Sequence, residues 1–270
     1  MAAFWKKYSV LFKLDWAVLF AYRGESIIWL VGAFIQPLVS LAVWVSISSG
    51  SGGSVGGYAV RDYVLYFLGV LVVDRLTSAW DVWELDKDIR EGTLSAKLLR
   101  PFHPIHWSIS QNLVYKFFFA VIMVPSWLLL ALWFPLFRLP VDIWTLLLAA
   151  AAILLASALS FFISYECGLL AFWTNRAVSI YALYEAVHLF LAGRIAPLAL
   201  LPDWVGFIAK WLPFYATVGF PVDLMTGKLA QNGDAVWEGF AMQFCWLTVL
   251  YVLFRVQWKR GLRQYGAVGG

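Results

Sequence analysis

An all-α polytopic membrane protein is the fold class that this sequence predicts, and three observations carry the prediction. Of 270 residues, 62% are hydrophobic and 13% charged, with a mean hydropathy of +0.77, whereas soluble domains carry about 25% charged residues. Apolar runs near the roughly 20 residues that a spanning helix needs recur along the chain. Sixteen Trp and an aromatic share of 18% supply the belts expected at two membrane–water interfaces. Lys6 and Lys7 precede a mixed segment rather than a short apolar core with a small-residue cleavage site, so no signal peptide is expected. Cys167 and Cys245 sit in apolar runs and read as packing residues, not as a disulfide or a metal site. The net charge of +4 follows membrane topology and is no nucleic-acid signal.

Residues 1–24 are too charged to span. Phe4, Tyr8, Leu11, Phe12, Leu19 and Tyr22 fall near one helical face, with Lys6 and Lys13 on another, which is the pattern of an interfacial helix. Residues 25–270 form the rest, with six spans. The first, about residues 27–47, carries Gln36-Pro37 and predicts a kink. The Gly/Ser-rich residues 48–57 read as a flexible linker with no fold of its own. The second span begins near Tyr58–Tyr63 and runs to about Trp80. Its uncharged run, residues 63–73, is too short to cross alone, so the helix takes in either Arg61-Asp62 or Asp74-Arg75. Charges within a bilayer are costly and are usually paired. Asp74 and Arg75 are therefore expected at or below the cytoplasmic boundary, paired with neighbouring helices.

The third span, about residues 112–134, contains Pro125. The fourth, about 143–167, has Glu166 near its end. The fifth, about 177–198, places Glu185 and His188 three apart on one face. Asp74, Arg75, Glu166, Glu185 and His188 are the candidates for a translocation path or for pairing within the membrane. A proton relay and a structural hydrogen-bonding role are both open readings. Within residues 199–235, Asp203 caps an apolar piece to Trp211, Pro213 breaks it, and a second piece ends at Pro221. Neither piece crosses about 30 Å at 1.5 Å per residue. Two re-entrant half-helices fit, and such backbone survives at membrane depth only if packed in protein or lining a cavity. A surface loop with interfacial aromatics is the alternative. The sixth span is about residues 236–254, and a basic tail follows.

Orientation follows from charge. Fourteen Lys/Arg fall on the side that holds the N-terminus, the loop after span two, the 174–176 loop and the tail. Five fall on the other: Arg61, Arg138, Arg194, Lys210 and Lys228. The basic side is cytoplasmic by the positive-inside rule, so both termini are expected there.

The charged stretch after span two, Glu84 to Pro101, is thus cytosolic. Leu85 and Ile89, and Leu94 and Leu98, are four apart and share a helical face. Gly92 interrupts the helix, Thr93 is placed to cap a new one, and Pro101 and Pro104 stop it. This reads as a bent, two-piece amphipathic helix with apolar residues available to a partner, or as an ordinary solvated loop. Phosphate-loop, zinc-protease, C-x-x-C and G-x-S-x-G patterns are all absent. His103 and His106 lack nearby cysteine or carboxylate ligands. No catalytic, cofactor-binding or metal residue is expected, and any energy source lies elsewhere.

The stretch Asp88-Ile-Arg-Glu-Gly-Thr-Leu-Ser-Ala-Lys-Leu-Leu-Arg-Pro101 resembles the cytoplasmic loop of type-2 ABC exporter permeases, an acidic-Gly-Thr-Leu run followed by Leu-Leu and a basic-Pro ending. Trp211 to Gly227 is similar to that family's segment before the last span, and Gly261 to Gly270 to the ending of a bacterial subgroup. The resemblance implies a permease subunit of an ATP-driven exporter in the bacterial inner membrane. Its partners are membrane lipid, a second permease, identical or paralogous, and cytosolic ABC ATPase subunits that bind the ATP. It also implies that residues 84–104 form a coupling helix docked on the ATPase, and that residues 199–235 are re-entrant. The contact then maps to Asp88, Arg90, Glu91, Gly92, Thr93, Leu94, Leu98, Arg100 and Pro101. Leu94 and Leu98 fill an apolar groove, Glu91 and Arg100 form rim charge pairs, and Gly92 sets the bend. The competing readings are an ATP-independent transporter with a proton path through the five intramembrane candidates, and a membrane enzyme or scaffold.

Overall fold

The structure, a computed structural model, describes residues 2–50, 52–229 and 232–265. Ser51 of the linker, residues 230–231 and the Gly266–Gly270 end of the third motif lie outside the described residues, as does the side chain of Phe4.

Helix α1 (Ala2–Ala21) precedes α2 (Arg23–Gly50), which stays helical through Pro37. The linker expectation needs correction here. Helix α2 continues to Gly50, and β1 (Ser54–Val55) pairs antiparallel with β2 (Tyr58–Ala59). Gly56 and Gly57 join them with φ of 58° and 77°. Two consecutive positive φ values are what a tight two-residue hairpin turn demands, and glycine meets them without strain.

Helix α3 (Val60–Thr77) stops at Ser78, and α4 (Asp81–Arg90) resumes after Trp80. Next come α5 (Leu94–Leu98), α6 (Ile105–Trp133) and α7 (Ile143–Leu169). The chain ends with α8 (Ala177–Leu191), α9 (Asp203–Trp211), α10 (Pro213–Thr217), α11 (Gly219–Met225) and α12 (Gly233–Gln264). Asp142 caps α7, accepting the Thr145 N–H at 3.0 Å, and Asn232 caps α12 through the Ala235 N–H at 3.2 Å. Among the described residues, five stretches are long and apolar enough to cross a membrane: Gly24–Gly50, Val60–Arg90, Ile105–Trp133, Ile143–Phe172 and Gly233–Gln264. The expected fifth span is α8, of only 15 residues, about 22 Å long against about 30 Å of hydrocarbon.

Helix α3 is the centre of the bundle. Tyr63, Tyr66, Phe67, Val70 and Val73 are essentially inaccessible. On α7, Ala149, Ala152 and Ala156 are buried at a helical repeat. Small side chains there let α11, α12 and α3 lie close against its backbone. The outer faces of α2, α6 and α12 expose large apolar side chains such as Ile35, Leu128 and Val252, as a lipid-facing bundle requires.

Between α8 and α12 the chain doubles back. Trp246 Nε1 donates to the Trp211 carbonyl (3.0 Å), and Gln243 Nε2 to the carbonyls of Ala216 (2.9 Å) and Ala152 (3.0 Å). The Phe220 ring lies 5.4 Å from Phe240. Moving from Trp211 to Phe220 therefore means moving backward along α12, so α10 and α11 run antiparallel to it. These broken helices satisfy exposed carbonyls with side-chain donors from packed neighbours, the condition under which irregular backbone is tolerated away from water.

Candidate functional site

Two sites emerge, one at each side of the break between α3 and α4. The first is a charged cluster. Asp74, near the end of α3, is 8% exposed. Its Oδ2 accepts from Arg75 Nη2 at 2.8 Å, and its Oδ1 lies 3.0 Å from Arg194 Nε. Arg194 Nη1 reaches Glu185 Oε2 at 3.3 Å. His188 follows Glu185 by three on α8, and its Nε2 is 2.7 Å from Thr217 Oγ1. The Thr217 hydroxyl gives its one proton to the Phe214 carbonyl (2.6 Å), so His188 Nε2 is the donor of that pair.

Three successive carbonyls hold Arg194 in place. Tyr66 donates to Gly193 O (2.8 Å), Gln36 to Arg194 O (2.7 Å) and Trp44 to Ile195 O (2.9 Å). Side chains of α2 and α3 thus fix the turn after α8, and the fixed turn aims the guanidinium at Asp74. Arg194, which the sequence offers only as a loop cation, has a side chain 15% exposed and pairs inside the bundle. Asp74 thus pairs with Arg194 of another element, whereas the ion pair of Arg75 is with its chain neighbour Asp74. Four of the five intramembrane candidates therefore converge. Glu166 does not: it is buried on α7, and its Oε1 has no hydrogen-bond partner. The cavity beside the cluster holds about 120 Å³. That admits a few waters and is well below the roughly 300 Å³ of a ligand-sized pocket.

The second site is the bent element α4–α5. Gly92 has φ 76° and turns the chain between the two helices, as its position predicts. Asp88 fastens the bend from inside, accepting the Thr93 hydroxyl at 2.8 Å and pairing with Lys97. Arg90 pairs with Asp86 at 3.2 Å. Glu91, Arg100 and Pro101 are exposed, and Arg100 lies over the Trp107 ring at 5.2 Å.

Two expectations about this element change. Leu85, Ile89 and Leu94 are not available to a partner: they are 5%, 5% and 0% exposed and pack against Ile105, Tyr165 and Phe254, with Leu98 half-buried beside them. The apolar side chains that do point outward are Leu99, at 89%, and Trp83, at 49%. Thr93 also fails as a cap. Cap residues need an extended backbone, whereas Thr93 is helical (φ −69°, ψ −18°) and its hydroxyl turns back to Asp88. The partner instead comes from the end of α12, where the Tyr265 phenol oxygen lies 3.1 Å from both Ser95 N and Ser95 Oγ.

The family model that describes the ABC-2 family transporter proteins matches residues 34–269. The chain belongs to the ABC-2 transporter family. No curated protein matches it. An ABC-2 permease is the membrane-embedded transport component of an ABC transporter and is associated with ABC ATPase subunits, so the long apolar helices belong to a multi-pass membrane protein. In this ABC-2 permease, Arg194, Thr217, Gln243 and Tyr265 are the structural participants that residue patterns did not single out. Each makes at least one side-chain contact across more than 25 residues of sequence.

Proposed function

We propose that this ABC-2 permease is the transmembrane subunit of an ATP-driven exporter in the bacterial inner membrane. It forms the translocation path with a second permease, identical or paralogous, and is driven by separate cytosolic ATPase subunits. On this reading α1 is interfacial, α8 is the fifth of six spans, α9 to α11 are re-entrant, and both termini are cytoplasmic. The α4–α5 element is the coupling helix. The observation that carries the proposal is the shape of that element: an apolar inner face sealed into the bundle by Leu94, and an outer face that offers Glu91, Leu99 and Arg100 together. A segment anchored on one side and exposed on the other transmits a push rather than absorbing it. The charged cluster does not favour an ATP-independent transporter, since Asp74 and Glu185 are both engaged by Arg194 and Glu166 stands apart.

The test is biochemical. Purified alone, the chain is expected to hydrolyse no ATP. Co-expressed with a cognate ABC ATPase, it is expected to co-purify as a complex that does. ATP turnover by the isolated chain sinks the reading, as does a failure to co-purify with any ABC ATPase.

A further inference from the structure

The α4–α5 element is tied to the rest of the bundle at a place that its own sequence does not reveal. Helix α5 has five residues, too few to be stable alone, because a single turn does not recover the cost of nucleation. Its leading amides need partners, and the residue before it withholds its hydroxyl. Ser95 N–H is shared between the Gly92 carbonyl (3.2 Å) and the Tyr265 phenol oxygen (3.1 Å), and Ser95 Oγ is 3.1 Å from the same phenol. Tyr265 is itself well placed. Its N–H bonds the Gly261 carbonyl at 3.0 Å and closes α12, and its ring stands edge-on to Phe172 at 5.8 Å.

Helix α12 is a single unit of 32 residues, about 48 Å long at 1.5 Å per residue. A spanning helix needs about 20 residues, so α12 is longer than one crossing requires, and its last turns reach the α4–α5 element. There Trp258 packs against His103 at 4.5 Å, on the chain leaving the coupling element. Further up, Gln243 and Trp246 of the same helix hold the broken helices. One rigid rod therefore touches the coupling element at one end and the doubled-back segment toward the other.

We infer that Tyr265 is a positioning residue that locks the coupling helix to α12, so that displacement of the first is delivered through the second to α9–α11. The inference deepens the permease reading and rests on it for its functional consequence; the tie itself does not.

The experiment uses the full chain in detergent. Tyr265→Phe keeps the ring on Phe172 and removes only the hydroxyl. Hydrogen exchange at the Ser95 amide is expected to speed up by about tenfold, with the melting temperature essentially unmoved. In the complex with the ATPase, the variant is expected to assemble normally, to keep its KM for ATP and to lose about fivefold in kcat. Ser95→Ala keeps the amide donor but loses the hydroxyl contact with the phenol, and is expected to fall between wild type and Tyr265→Phe in both assays. Unchanged exchange in Tyr265→Phe overturns the tie. Faster exchange with unchanged kcat overturns the positioning role. If the wild-type chain forms no complex, the permease reading fails, and the exchange result still decides whether Tyr265 holds α5.

Discussion

Arg194 Nε lies 3.0 Å from Asp74 Oδ1, joining the turn after α8 to the end of α3 inside the bundle. With Arg75 and Glu185 the group contains two acids and two bases. Removing one member leaves an uncompensated charge in a poorly solvated place, which costs on the order of 3–5 kcal/mol. Asp74→Asn and Arg194→Gln are each expected to lower the melting temperature in detergent sharply. The double variant restores the balance and is expected to lose less than the sum of the two. Additive losses in the double-mutant cycle would show that the two residues do not act together.

Leu94 and Leu99 separate folding from docking. Leu94→Asp places a carboxylate in a sealed apolar cluster and is expected to destabilise the chain itself by several kcal/mol, or about that order. Leu99→Asp changes an exposed position and is expected to leave the melting temperature alone while weakening co-purification with the ATPase. The measurements are a thermal melt of the permease and a pull-down of the complex, run on both variants. Normal assembly of Leu99→Asp removes this residue from the contact.

His103, on the chain between α5 and α6, is expected to make stability depend on pH. Burial, then the charges of His106 and Arg255, hold its pKa below the usual value of 6.5. Its Nδ1 also accepts the Ile105 N–H at 3.2 Å, which only the deprotonated nitrogen allows. A group whose folded pKa is depressed in this way binds its proton more readily when unfolded. Its contribution is therefore complete above about pH 6.5 and is lost as pH falls through the folded value. The melting temperature is expected to fall between roughly pH 7 and pH 5, and His103→Gln is expected to flatten that slope. Equal slopes in the two chains would assign the effect to another group.

Much of this architecture was legible in residue patterns, for physical reasons that also mark where legibility stopped. Gly92, flanked by charged and leucine-bearing turns, announced the bend because few other residues turn a chain that way. Pro213 announced the broken helices. The spacing of Leu94 and Leu98 said which side chains share a face, but periodicity is silent about what covers that face, and the bundle itself covers it. Arg194 was assigned by its position between two spans. Its true place depends on carbonyls fixed by Tyr66, Gln36 and Trp44, contacts that span more than a hundred residues. Thr93 has the right chemistry for a cap and the wrong backbone, and backbone angles are not written in residue type.

The closed set of charges around Asp74 has an electrical consequence. Moving one elementary charge across the membrane potential involves about 2.3 kcal/mol per 100 mV. Asp74, Arg75, Glu185 and Arg194 sum to zero formal charge within one ion-paired unit. If that unit shifts in depth as the permease changes state, it carries no net gating charge. The field across the membrane then does no work on it, and its movement must draw on some other source of energy.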